Sequence, residues 1–156
     1  MMVGKKGDLI QLALQGEFQV IVHGCNCYGR MGKGIALGIK NQWPDAYKAD
    51  LDFPVPFGPE RLGKISVSPP QSNGLIIINA YTQVRHWHVQ GEDFNAPLVD
   101  YNAVGRCFAA VRELVSPETR IGFPLIGCGL AKGQWDMVYP QIAQQMVGYD
   151  ATYVYL

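Results

Sequence analysis

Two stretches decide how this chain reads: Ile21-Val22-His23-Gly24-Cys25-Asn26-Cys27-Tyr28-Gly29-Arg30-Met31-Gly32-Lys33-Gly34-Ile35-Ala36, and Ile121-Gly122-Phe123-Pro124-Leu125-Ile126-Gly127-Cys128-Gly129-Leu130, the latter followed by Gln134-Trp135-Asp136. Each is an apolar, strand-like run that empties into glycines and then turns helical. Such a junction presents backbone N–H groups at a helix N-terminus, an arrangement suited to a phosphate. Two of them suggest a ligand with two phosphates, or one phosphate held from both sides.

Working outward, strand-like runs cover 18–23, 65–68, 75–81, 120–124 and 152–156. Between them, 35–43 reads as a helix stopped by Pro44, because the residue before a proline avoids helical backbone. Over 100–115, Val104, Cys107, Phe108, Val111, Leu114 and Val115 recur at helical spacing, with Asp100 as N-cap. A last helix begins near Trp135 or Asp136 and accommodates Pro140 only in its first turn. Strands alternating with helices predict a layered α/β domain, with ligands beyond the carboxyl ends of the strands. Two segments read as irregular: the proline-rich 50–64, and 84–97, which carries the aromatic residues Trp87 and Phe94 and two histidines.

At 156 residues the chain is expected to form one domain, residues 1–156. Thirteen basic and thirteen acidic residues give no net charge, so a nucleic-acid partner is disfavoured while a local patch stays open. Neither an 18-residue apolar run nor a signal-like N-terminus is present, so no membrane partner and a cytoplasmic location are expected. Cys25, Cys27, Cys107 and Cys128 then read as reduced thiols. Their spacing matches no zinc pattern, and neither metal nor cofactor is expected.

Known phosphate loops fit poorly. The stretch Gly29-Arg30-Met31-Gly32-Lys33-Gly34 lacks Walker spacing and a Ser/Thr after Lys33, and Gly32-x-Gly34-x-x-Leu37 misses the third glycine of a dinucleotide fingerprint. Another pattern fits along nearly the whole chain: Gly7-Asp8-Leu9, the strand with His23 and Asn26, Met31-Gly32-Lys33-Gly34-Ile35-Ala36, then Pro124-Leu125-Ile126-Gly127-Cys128-Gly129-Leu130 and Gln134-Trp135. In order and spacing the chain resembles the macro domain, the ADP-ribose-binding module. The His-x-Cys-Asn-Cys stretch looks most like the ADP-ribose 1″-phosphate phosphatase branch. Met-Gly-x-Gly-Ile-Ala and Ile-Gly-Cys-Gly-Leu also resemble the terminal ADP-ribose protein glycohydrolase.

The resemblance implies a three-layer α/β/α fold with a mixed central sheet and a cleft across its top. It implies that Asp8 accepts from the adenine amino group with the Leu9 backbone nearby, and that Asn26 meets the distal ribose. Gly32, Lys33, Gly34 and Ile35 would wrap one side of the diphosphate, and Gly127, Cys128, Gly129 and Leu130 the other. Tyr155 and Leu156 would border the adenine or its ribose. Each also has a plainer reading: Asp8 and Asn26 as turn residues, the loops as tight turns, Tyr155 and Leu156 as a strand end.

Catalysis is read through His23, Asn26 and Asp136. His23 would serve as acid or base near neutral pH, or else be a core histidine. Asp136 would orient a water, or else cap the last helix. Lys33 or Lys132 would offset phosphate charge. The glycohydrolase pattern requires Asp where Ala131 stands and Lys where Gln83 follows Thr82, so that lysine chemistry is not expected. The reading is therefore an ADP-ribose-binding hydrolase acting on ADP-ribose 1″-phosphate. Its alternatives are removal of ADP-ribose from a modified macromolecule and a silent ADP-ribose reader.

Overall fold

The computed structural model describes residues 2–156. Its six strands are β1 (Val3–Lys6), β2 (Val20–Asn26), β3 (Ile65–Val67), β4 (Ile76–Gln83), β5 (Ile121–Pro124) and β6 (Ala151–Tyr155). They form one sheet in the order β1-β6-β5-β2-β4-β3, in which only the edge strand β3 runs antiparallel. The helices are α1 (Leu9–Leu14), α2 (Gly34–Gln42), α3 (Pro44–Asp52), α4 (Tyr101–Leu114) and α5 (Trp135–Gln145). No helix among the described residues is long and apolar enough to cross a membrane.

The sheet is covered on both faces, which is why its central strands read as continuous apolar runs. Side chains alternate along β2 and β4. Val20, Val22, Ile78 and Ala80 pack with Phe108 and Val111 of α4 and Val138 and Ile142 of α5. Ile21 and Ile77 face Leu9 and Ala13 of α1, Ile39 of α2, and Trp43 and Ala46 at α3. This is the α/β/α sandwich with a mixed sheet that the sequence resemblance implies.

Three local outcomes differ from the sequence reading. Pro44 ends α2 as expected, yet it also opens α3, where its fixed φ and missing N–H suit the first helical position. The segment 50–64 therefore begins in a helix and contains a short 3₁₀ turn, Pro59–Arg61. Pro140 is the sixth residue of α5, beyond the first turn. The carbonyl that loses its donor belongs to Asp136, an exposed residue of the first turn.

The same two-residue alternation that buries Ile21 and Ile77 sends His23 and Asn79 into the α1–α3 side of the core, paired in register. Both are fully buried. His23 Nε2 lies 2.7 Å from Asn79 Oδ1. Asn79 Nδ2 donates to the Ala46 carbonyl and to Ser66 Oγ, and Ser66 Oγ lies 2.8 Å from the Tyr81 hydroxyl. That hydroxyl donates to Asp50 Oδ1 at 2.7 Å, which also accepts from Arg61 at 3.1 Å. Arg61, only 1% exposed, donates further to the carbonyls of Asp50, Phe53 and Val55. One buried polar chain thus ties β2, β3, β4 and α3 to the proline-rich segment.

Burial lowers the His23 pKa from its ordinary 6.5 to about 4, against the opposing bond to Asn79. Burial likewise pushes the Asp50 carboxyl up, partly countered by Tyr81 and Arg61. The unfolded chain protonates His23 near pH 6.5 while the folded chain resists until about pH 4. Its stabilising contribution is therefore complete above the first value and is lost as the pH falls toward the second. Urea titrations of wild type and His23→Gln across that window are expected to diverge by on the order of 3 kcal/mol, the variant being the less pH-dependent. Arg61→Ala is expected to cost about 3–5 kcal/mol in the same assay, because it leaves Asp50 buried without its cation.

Candidate functional site

β1, β6, β5, β2 and β4 are parallel, so their carboxyl ends share one edge of the sheet. Both glycine loops leave from neighbouring strands there, the first from β2 and the second from β5. After β2 the chain proceeds to β3 and β4 on one side, whereas β5 is followed by β6 on the other. The crevice between the loops is thus a topological switch point.

The loops face each other. A Cβ placed on Gly34 would lie 3.6 Å from Leu130 Cδ1 of the opposite loop, whereas one on Gly32 or Gly129 would meet nothing within 4 Å. Gly34 has φ +59° and Gly127 φ +75°, a left-handed backbone that requires glycine at low cost. Lys132 adopts φ +60° in the turn that closes the second loop. Leu130 is 66% exposed.

Side-chain caps are present at α1 and α4 and absent at α2, α3 and α5, with α3 opening instead on Pro44. Asp8 caps α1 by accepting from Gln11 N, and Asp100 caps α4 by accepting from Ala103 N. No side chain caps α2 or α5, the helices that follow the glycine loops. Their first N–H groups remain available to an external anion.

At the other end of the crevice, Gly7 N donates to the Tyr155 carbonyl, which brings Asp8 beside Tyr155. Asp8 is exposed and uses only Oδ1 in its cap. Leu9 is 3% exposed and belongs to the core, so only its backbone can border a ligand. Ile35 packs partly against the same core, and Lys33 is exposed at the start of α2. Tyr155, the last residue of β6, and Leu156 after it are exposed.

No hydrogen bond among the described residues joins the three catalytic candidates. His23 is 0% exposed, faces the core and is held neutral, so it has no surface to offer a reacting group. Of the two readings of His23, the geometry favours the core histidine, because strand alternation turns its ring toward Asn79 on the α1–α3 face. Asn26 is 7% exposed and shapes its own turn, Nδ2 donating to the Arg30 carbonyl and Oδ1 accepting from Tyr28 N. That leaves one N–H and one lone pair unused by protein. Asp136 is not the N-cap of α5, a position held by Gln134. It sits exposed in the first turn, where its charge, with burial, raises the Cys128 pKa.

The other thiols are deeper. Burial raises Cys25 well above the ordinary range, Cys27 to about 11 and Cys107 to about 12. They remain protonated and unreactive near neutral pH.

The buried chain from Arg61 to His23 went unseen in sequence. One signal for it existed: Asn79 interrupts the apolar run Leu75–Tyr81, and a buried amide demands partners. Arg61, among prolines and glycines, carried no such signal.

No family model matches the chain. It is 30% identical over 141 residues to an uncharacterized 17.5 kDa protein of Enterobacteria phage T4, covering 85% of this chain and 82% of that one. It is 28% identical over 152 residues to the DNA ADP-ribosyl glycohydrolase of Mycobacterium tuberculosis, covering 94% of this chain but only 40% of that protein's length. A 60-residue stretch, 38% of this chain and 34% of that protein, is 32% identical to the ADP-ribose 1″-phosphate phosphatase of Saccharomyces cerevisiae. Among solved structures, the macrodomain of Mycobacterium tuberculosis DarG superposes with a TM-score of 0.71 at 26% identity, covering 100% of this chain and 98% of that one. With two facing glycine loops at the switch point of a mixed α/β/α sheet, the chain belongs to the macrodomain family.

Proposed function

We propose that the crevice binds ADP-ribose and that the protein is a hydrolase releasing ADP-ribose from a modified macromolecule. The observation that carries the binding is the pair of facing loops whose helices lack side-chain caps. In this reading Asp8 Oδ2 accepts from the adenine amino group, and the Leu9 backbone, Tyr155 and Leu156 border the adenosine. Gly32–Ile35 and Gly127–Leu130 enclose the diphosphate, with Lys33 offsetting its charge. The remaining N–H and lone pair of Asn26 orient the distal ribose.

Cleavage adds water at C1″ and breaks the bond to the acceptor, giving free ADP-ribose and the unmodified macromolecule. Asp136, a carboxylate beside the second loop, is the proposed group to orient that water. The absence of lysine at Gln83 and of aspartate at Ala131 points away from a lysine-mediated route. The match over 94% of this chain to a glycohydrolase acting on DNA supports release from a macromolecule. A second reading, hydrolysis of ADP-ribose 1″-phosphate, is favoured by the partial likeness to the yeast phosphatase, but burial of His23 removes the acid or base on which it relied.

Incubation with an ADP-ribosylated oligonucleotide, an ADP-ribosylated peptide and ADP-ribose 1″-phosphate, read by product mass, is expected to yield free ADP-ribose from a macromolecular substrate. Phosphate release would favour the second reading, and ADP-ribose binding without any product would mark a reader.

Calorimetry is expected to give micromolar affinity for ADP-ribose, about −8 kcal/mol, weakened in Asp8→Ala by about 1.5–3 kcal/mol. Gly129→Glu is expected to abolish binding at unchanged melting temperature, since its position needs no left-handed backbone and its Cβ meets no protein atom. Normal binding by Gly129→Glu would reduce the second loop to a turn.

A further inference from the structure

The segment 84–97 is irregular, as its sequence suggests, yet it is tied down. Cys27 N donates to the Val84 carbonyl at the end of β2. Arg85 pairs with Glu92 at 2.7 Å across the loop. His88 Nε2 lies 2.8 Å from the Ala96 carbonyl. This held loop lays Trp87 against Tyr28, with centroids 5.3 Å apart, and sets His86 and Trp87 T-shaped to each other at 4.7 Å. Tyr28 directly follows the Asn26-Cys27 end of β2. On the neighbouring residue, Phe57 packs where a Gly29 Cβ would stand, 2.8 Å from its ring, and the Arg61 guanidinium lies 4.5 Å from that ring's centroid.

The result is an aromatic strip around the turn 27–30, with Trp87 40% and Phe57 50% exposed and Tyr28 half-buried. Such exposure of large rings is costly unless something covers them. The strip also bears charge. Arg30 in the turn and Lys33 just beyond it are exposed, and neither has an ion-pair partner among the described residues. The nearby acids are engaged within the loop, Glu92 with Arg85 and Asp93 with Asn95 N. Both strands ending here, β2 and β4, have neighbours on each side, so no open strand edge is offered to a peptide. Exposed rings beside a turn that carries unpaired cations suit bases joined by phosphates.

We propose that Tyr28, Trp87 and Arg30 form a stacking platform for single-stranded nucleic acid beside the ADP-ribose crevice. The crevice's own ligand is the reading proposed above; the platform would receive the nucleotides flanking a modified base. Tyr28 and Trp87 stack on bases, and Arg30 neutralises a phosphate. A balanced overall charge does not oppose this, because the cations are local to the turn.

The test uses the full chain and a mixed-sequence single-stranded ten-nucleotide DNA, with an RNA of the same sequence as a second arm. Saturable quenching of tryptophan fluorescence is expected with at least one of them. Trp87→Ala, checked for an unchanged melting temperature, is expected to weaken binding measured by anisotropy of the labelled strand about tenfold. Trp87→Phe is expected to retain it, and Arg30→Gln to reduce the salt dependence. Saturating ADP-ribose is expected not to displace the strand, and Trp87→Ala to bind ADP-ribose as wild type does. The proposal is overturned if neither strand binds, if Tyr28→Ala and Trp87→Ala bind them normally, or if ADP-ribose competes with the strand. Loss of ADP-ribose binding in the wild type, with strand binding intact, would overturn the crevice assignment and leave the platform standing.

Discussion

The hydrogen bond between His23 and Asn79 is the contact on which the site's architecture depends. It joins the two central strands in the middle of the sheet, at a depth where an unpaired imidazole or amide would be costly. From Asn79 the chain of bonds runs through Ser66 and Tyr81 to Asp50 and Arg61, and so reaches the segment that supports the first glycine loop. Phe57 and Gly58 of that segment pack on Gly29 and bond to the Cys27 carbonyl. The turn that starts the first loop therefore rests on an ionic and polar scaffold rather than on apolar packing alone. In a low-dielectric interior such a network is unforgiving of partial satisfaction, which makes its geometry specific.

Above that scaffold, the carboxyl edge of the sheet is built to leave donors free. Asp8 and Asp100 cap α1 and α4, whereas the starts of α2 and α5, next to the glycine loops, have no side-chain cap. The glycines beside them keep side-chain atoms out of the crevice. Stability and binding are thus divided: a polar network between the strands and α3 below, uncapped helix starts above.

Much of this was legible in the sequence. The glycine loops after apolar runs located the crevice, and alternating strands and helices indicated the layered α/β class. The periodicity of residues 100–115 and the Asp100 cap located α4. The early helix α1, the edge strand β1 and the helix α3 were not legible. α1 is six residues long and β1 four, too short for periodicity to register, and α3 begins at the very proline that reads as a stop.

What the sequence by itself determined was local: which segments could be strands, where glycines followed them, and that the helix starting after Asp100 carried its own acceptor. What only the tertiary structure decided was direction and company. A histidine three residues before Asn26 reads as a neighbour of the ligand, but a strand sends alternate side chains to opposite faces, and the pairing of β2 with β4 puts His23 against Asn79 in the core. Arg61 and Asp50 lie eleven residues apart and Trp87 lies far along the chain from Tyr28. Their meeting depends on long-range packing, which no local pattern of residues encodes.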